Sequence, residues 1–497
     1  MTANTFCHRA PAPPSAASGG QEGRGTLARR AIAVATAVAV ATTHVPASPA
    51  HAQEKDAAQA LPLIRDAEIE QLLRDYTHPV LRAAGLAQRN IRVVIINDRG
   101  FNAFVIDAKR IFINAGALMD AETPNQIIGV LAHETGHIAG GHLSKLRGEL
   151  ANAQTAAILA MLLGLGAVAA SATSRGNVGG NPMAAIVGPQ TMIMRSLLAY
   201  QRQQEEQADR AGVNFLTQSG QSARGMYDTF KRFADQQLFA SRYVDAYLQS
   251  HPMAAERIAA LAEVARANPY WDKKDSPDLQ LRHDMVRAKL FGYLDQPDTV
   301  LRRYTLSNTS LPARYARAIS AYRHSDLRAA LAQIDSLIQT QPSNPYFYEL
   351  KGQALVDSGR GREALAPLRH AISLAPDPTL IHVLLGQALV GANDPALLDE
   401  AISSLRKALA NDPEIADAYE HLAIAYGRKG DLADADLASA QAAFNRGNLP
   451  TARQLAARAK GRFAIGSPGW VKADDIASFK PPQARRLIQS YDGGQGR

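Results

Sequence analysis

One cysteine occurs in 497 residues, Cys7, and it lies in the N-terminal segment. So lone a thiol excludes a disulfide framework, and the body of the chain has no cysteine nucleophile. Aromatic residues are scarce at 6% while alanine is abundant, a composition suited to closely packed helices. No basic module interleaved with aromatics is present, so nucleic acid is not an expected partner. An apolar fraction of 46% with 20% charged residues excludes wholesale disorder. The length exceeds what one hydrophobic core serves and implies two to four domains.

The first fifty residues read as a targeting segment. Arg24, Arg29 and Arg30 precede the uncharged stretch Ala31 to Thr42, and "ASPAHAQ" then offers a small-x-small site ending at Ala52. This pattern is that of a secretory signal cleaved near Ala52, with an uncleaved anchor or a disordered tail as the alternative. Removing residues 1–52 takes away four arginines and one glutamate and lowers the formal charge from +8 to +5. Spread over a long chain, that excess is weak support for an anionic partner. One uncharged run, residues 156–172, sits at the lower edge of membrane-spanning length. It is read as a buried or membrane-touching hairpin giving peripheral membrane contact, with a true span as the alternative.

"EIEQLLRDYTHPVLRAAGL" has helical spacing, and "IRVVIIND", "FNAFVIDA" and "RIFINAGAL" read as three short strands. A helix follows with a legible start: Thr123 as N-cap, Pro124 at the first helical position and Gln126 closing a capping box. A second helix is expected from about Met192 to Leu216. From about 313 the chain repeats itself. Ala318, Gly352 and Gly386 recur every 34 residues, as do Ala330 with Ala364 and Pro342 with Pro376. Ala401 and Pro413 continue the pattern after a three-residue insertion. Period 34, with small residues at helix crossings and proline after the second helix, is the tetratricopeptide signature.

The chemistry is concentrated in "LAHETGHIAGGH", residues 131–142. His133 and His137 lie one turn apart on one helical face, so both imidazoles can reach one ion. Glu134, beside them, can take a proton from water, which makes HExxH on a helix the mark of a zinc hydrolase. A third histidine at the metzincin spacing would stand at 143, where the residue is leucine; His142 falls one short and is read as structural or supporting. "EEQAD" supplies the alternative. Glu205 and Asp209 share a helical face, so Glu205 can complete a His-His-Glu set and Asp209 can orient a ligand histidine. Glu206 is expected to face solvent.

"NAF" at 102–104, "HETGH" at 133–137, "EEQAD" at 205–209 and "HPMAAERI" at 251–258 resemble the zinc metallopeptidases related to HtpX and the CAAX prenyl endopeptidase. With the leader before them and the repeats behind, the chain resembles the periplasmic, repeat-bearing proteases and chaperones of outer-membrane assembly in that family. The resemblance implies one zinc per chain on His133, His137 and Glu205, with Glu134 catalytic and Asp209 supporting. His251 stands open between a fourth, inhibitory ligand and a helix cap that shapes the cleft. Asn102, Ala103 and Phe104 offer an edge to which an extended substrate adds by main-chain bonds.

The expected fold is mostly α: an α+β gluzincin-like zinc peptidase domain with a small sheet, followed by an α-solenoid of tetratricopeptide repeats. Its expected boundaries are 1–52 for the signal, 53–275 for the peptidase, 276–312 for a helical connector, 313–465 for the repeats and 466–497 for a tail. The expected activity is zinc-dependent endopeptidase action on misfolded or stalled outer-membrane proteins. Protein or peptide clients, and the outer-membrane assembly machinery, would be met through the repeats. The rival is a non-catalytic or auto-inhibited chaperone or scaffold.

Overall fold

A computed structural model describes residues 61–146, 148–149, 182–239, 247 and 251–480. The leader, residues 1–52, and the uncharged run at 156–172 lie outside the described residues. Among those described, no helix is long and apolar enough to cross a membrane.

The N-terminal part is a four-stranded sheet clasped by helices. Its strands are β1 (Leu63–Ile64), β2 (Arg92–Ile96), β3 (Ala103–Asp107) and β4 (Arg110–Asn114), in the order β1-β2-β4-β3. β2 and β4 run parallel, while β1 and β3 are antiparallel edges. Alternation sends Ile95, Ile111 and Ile113 into the main core, and Ile96 and Phe112 to a small cluster on the other face. The third strand is shorter than its apolar run predicted, because "AGALMD" is helix α2 (Ala115–Asp120). Gly116 sits at that junction: a Cβ there would lie 2.1 Å from the Arg99 carbonyl oxygen, so only glycine lets the 98–100 turn pass this close. β1 was not legible at all, since two residues carry no period.

Helix α1 (Ala67–Ala83) packs on β2 and on α3 (Pro124–Gly140). The expected capping box is present: Gln126 Oε1 accepts from the Thr123 amide while Thr123 receives the third helical amide. α3 buries Ile127, Ile128, Val130 and Leu131. Helix α4 (Pro182–Gln218) crosses it closely, and α5 (Arg224–Phe239) and α6 (Ala255–Arg266) complete the enclosure.

Helices α7 (Pro277–Leu294) and α8 (Pro297–Arg303) lead into antiparallel pairs: α9 (Leu311–His324) with α10 (Leu327–Thr340), α11 (Pro345–Asp357) with α12 (Gly361–Leu374), α13 (Thr379–Gly391) with α14 (Leu398–Asn411), and α15 (Ala416–Lys429) with α16 (Leu432–Asn445). The 34-residue marks sit at the crossings. A Cβ on Gly352 would meet Leu368 at 2.3 Å, and one on Gly386 would meet Leu405 at 2.4 Å. Ala330, Ala364 and Ala401 are fully buried. Each pair covers its neighbour's apolar face, which is how such arrays gain stability. Residues read as a tail contribute a further helix: α17 (Leu449–Lys460) is covered by α18 (Pro468–Ser478) through Ala473 and Ile476.

The array docks on the start of α1. Arg65 Nη2 donates to Asp412 at 2.8 Å, and Arg92 reaches Asp412 at 3.1 Å and Glu414 at 2.7 Å. Ala67 is buried with Ala371 and Ile381. Beneath this contact Lys289, 3% exposed, lies 2.6 Å from Asp66, 3.2 Å from Glu68 and 4.0 Å from Glu349. The Tyr315 hydroxyl donates to Glu68 at 2.8 Å. Burial opposes the lysine charge, but the carboxylates overcome it and hold the ammonium well above its ordinary range. Removing the one cation of a buried cluster costs about 3–5 kcal/mol, because the remaining charges lose their partner. Lys289→Met should therefore lower stability by an amount of that order in urea unfolding. An unchanged midpoint would show that the cluster contributes nothing to docking.

Candidate metal centre

The two central helices of the peptidase part touch where they do because small residues permit it. A Cβ on Gly136 would fall 2.7 Å from the Ala208 carbonyl oxygen. That close crossing sets the face of α3 carrying His133 and His137 against the face of α4 carrying Glu205 and Asp209. The run preceding α6 brings in His251, and α6 itself brings Arg257.

His133, His137, Glu205 and His251 each present one donor atom within 4.8 Å of the others, and all four side chains are buried. His133 Nε2 is 3.1 Å from His137 Nε2 and 3.3 Å from His251 Nδ1. Glu205 oxygens lie 3.4 Å from His137 Nε2, 3.5 Å from His133 Nε2 and 3.0 Å from His251 Nδ1. A tetrahedral zinc with bonds of about 2.0–2.1 Å sets its ligands about 3.3–3.4 Å apart, so the donor set fits that ion.

Charge makes the same point. Glu134, Glu205 and Asp209 are 0%, 4% and 3% exposed, and among the described residues Arg257 is the only guanidinium set against them. With the histidines neutral, as metal ligands must be, and the three carboxylates ionised, Arg257 leaves two negative charges for a divalent cation to neutralise. Neither oxygen of Glu134 has a hydrogen-bond partner among the described residues. Burial raises its carboxyl, with His251 and His133 pulling the other way. A raised carboxyl beside the donor cluster suits a group that must accept and return a proton.

The surrounding shell orients the donors. His133 Nδ1 approaches Asp209 Oδ1 at 2.9 Å, close but poorly aligned for a linear bond. Arg257 grips Asp209 with Nε at 2.7 Å and Nη2 at 2.9 Å, and its Nη1 lies 2.8 Å from Glu205. Burial opposes ionisation of Glu205, but His251, His133 and Arg257 hold its carboxyl well below the usual range. Asp209 is lowered likewise, Arg257 outweighing burial. Glu206, by contrast, is exposed.

His251 Nε2 is 3.3 Å from the Ala103 carbonyl oxygen and 3.4 Å from Glu134 Oε1. A carbonyl and a carboxylate only accept, so both ring nitrogens face acceptors, Nε2 the Ala103 carbonyl and Nδ1 the Glu205 carboxylate at 3.0 Å, and Nδ1 must be bare wherever it ligates a metal. Ala103 begins the edge strand β3, with its carbonyl on the side away from β4. Its neighbours face elsewhere: the Asn102 carbonyl accepts from the Asn114 amide at 2.9 Å, and Phe104 stacks on Phe112 at 5.5 Å.

The structure thus brings together the predicted His133, Glu134, His137, Glu205, Asp209 and His251, and sets Ala103 against them. Reading the sequence did not assign Arg257 a role. The signal was available, since an arginine one and a half turns after a His-Pro bend could answer two carboxylates already placed on a neighbouring helix.

Residues 64–265 match the profile of Peptidase family M48. Over 438 residues the chain is 23% identical to the "Beta-barrel assembly-enhancing protease" of Yersinia pestis, covering 86% of each. It is 22% identical to the protein of that name from Escherichia coli (strain K12) over 413 residues, 82% of each chain. "Metalloprotease LoiP" of the same strain is 31% identical over 168 residues, 34% of this chain and 59% of that one. The chain therefore carries an M48 peptidase domain, which makes it a metalloprotease, and the buried donor set is consistent with zinc.

Glu205→Gln removes a charged donor from a set of four, whereas Glu206→Gln alters only the solvent face. Purified wild type should hold about one zinc per chain by elemental analysis. Glu205→Gln should lose it and Glu206→Gln should keep it. Zinc retained by the first and lost by the second would reverse the assignment.

Proposed function

We propose that this chain is a zinc-dependent endopeptidase of the cell envelope, acting in the periplasm on misfolded or stalled outer-membrane proteins that its repeats select. The observation that carries the reading is the buried carboxylate of Glu134, without a hydrogen bond among the described residues, beside four converging metal donors. Similarity over most of the chain to beta-barrel assembly-enhancing proteases supports the client class, and the leader read in residues 1–52 supports export. We take 53–275 as the catalytic unit, 276–312 as the connector and 313–465 as the client-binding array, with 466–497 following as the tail.

His133, His137 and Glu205 would hold the zinc, which when bound supplies Lewis acidity towards the scissile carbonyl. Glu134 takes the proton of the attacking water and passes it to the departing amine. Asp209, itself clamped by Arg257, orients His133. An extended substrate lies along the outer edge of β3, where the Ala103 carbonyl offers a main-chain acceptor once His251 leaves it. Between the start of α1 and the repeats lies a groove of about 620 Å³, lined by Arg65, Ala67, Tyr293, Tyr322, Leu384 and Glu420, which would take an extended segment.

One contact favours a second reading, an auto-inhibited resting state. His251 occupies the carbonyl that a substrate strand would use and directs Nδ1 at the metal donors. In that state the protein acts as a chaperone or scaffold until a client displaces His251. The two readings part on casein cleavage, which needs no docking on the repeats. Glu134→Gln should slow it by about 10²-fold or more. His251→Ala should accelerate it at equal zinc occupancy if the side chain blocks the site. A slower His251→Ala enzyme would give His251 a part in the reaction instead, and casein cleavage by Glu134→Gln at the wild-type rate would refute the hydrolase reading.

A further inference from the structure

His142 stood in the sequence as a histidine one residue short of a ligand position, with two glycines before it. Its place in the structure gives those three residues a purpose. His137 turns Nε2 inward, 3.1 Å from His133 Nε2 and 3.4 Å from Glu205 Oε1. Its other ring nitrogen, Nδ1, points away from the cluster and lies 3.0 Å from Nδ1 of His142.

Two ring nitrogens at that distance share one proton. If His137 is to coordinate through Nε2, that nitrogen must be bare and its proton must sit on Nδ1. His142 Nδ1 is then the acceptor, and the proton of His142 lies on its own Nε2. We propose that His142 is a positioning residue of the metal centre, accepting the Nδ1 hydrogen of His137 and so holding that ligand in its metal-binding tautomer and orientation. This rests on the reading of His137 as a zinc ligand.

The chain is shaped to deliver the ring there. Helix α3 ends with Gly141 at φ +62°, the left-handed conformation that favours glycine, and the turn folds His142 back over the helix end. A Cβ on Gly140 would lie 2.3 Å from His142 Nε2, so the ring fills the space a larger residue would take. His142 is 3% exposed, and its carbonyl lies 3.4 Å from Gln204 Nε2. Gln204 comes from the helix that carries Glu205, so the same crossing holds ligand and support. The two ligand histidines are therefore braced differently: His133 by the carboxylate of Asp209, His137 by a neutral imidazole.

The test is zinc affinity by chelator competition on the full-length protein, comparing His142→Leu with His142→Asn. Asparagine places an acceptor oxygen near the position of the imidazole Nδ1, and leucine places none. Losing a supporting partner of a ligand histidine weakens metal binding by about 10–100-fold, which is the expected result for leucine, whereas asparagine should stay within about threefold of wild type. Gly140→Ala, which crowds the ring without removing it, should weaken binding in the same direction and covers the case in which the leucine variant fails to fold. Nitrogen-15 NMR of the zinc-loaded wild type should show the proton of His142 on Nε2, a readout that mere packing leaves undetermined. Wild-type affinity in both His142→Leu and Gly140→Ala, or a proton on His142 Nδ1, overturns the proposal. Wild type that binds no zinc at all would instead sink the metal-centre reading on which it rests.

Discussion

Three buried carboxylates facing one guanidinium govern the design of the catalytic half. Glu134, Glu205 and Asp209 cannot all remain ionised out of water on the strength of Arg257 alone. A dication between the histidines resolves the imbalance, so burial of these acids and metal binding are two sides of one constraint. The close helix crossing at Gly136 serves it by bringing acids and histidines within bonding distance. The His-Pro bend serves it by returning Arg257 and His251 from a third element.

The same principle recurs where the two halves meet. Lys289 is buried among Asp66, Glu68 and Glu349, and Arg65 and Arg92 converge on Asp412. Arg65, Asp66 and Glu68 at the start of α1, and Arg92 on β2, thus meet α7 and the repeats, and α1 in turn packs on the helix bearing HETGH. α1 therefore touches both the repeats and the helix that bears His133 and His137.

What was legible in the sequence follows from period. His133 and His137 at one-turn spacing, Glu205 and Asp209 likewise, the capping box at Thr123 and the 34-residue marks are all local patterns that helical geometry repeats. What was hidden lies between residues far apart in the chain. No pattern announces that Arg65 will meet Asp412, that Lys289 will lie under Asp66, or that His251 will reach the Ala103 carbonyl, because such pairs are set by how elements pack. α2 was hidden for a different reason: the apolar run at 110–118 continues across the strand end, and the steric need for Gly116 appears only once the 98–100 turn is placed. His142 combined both problems, being one residue from a familiar pattern and placed by a glycine turn.

X-ray absorption at the zinc edge of the purified, full-length protein tests the central claim most directly. The account predicts one zinc per chain bound only by nitrogen and oxygen at about 2.0–2.1 Å, four-coordinate, with multiple-scattering features of histidine. A protein that takes up no zinc, or zinc in a six-coordinate shell without imidazole, would contradict it.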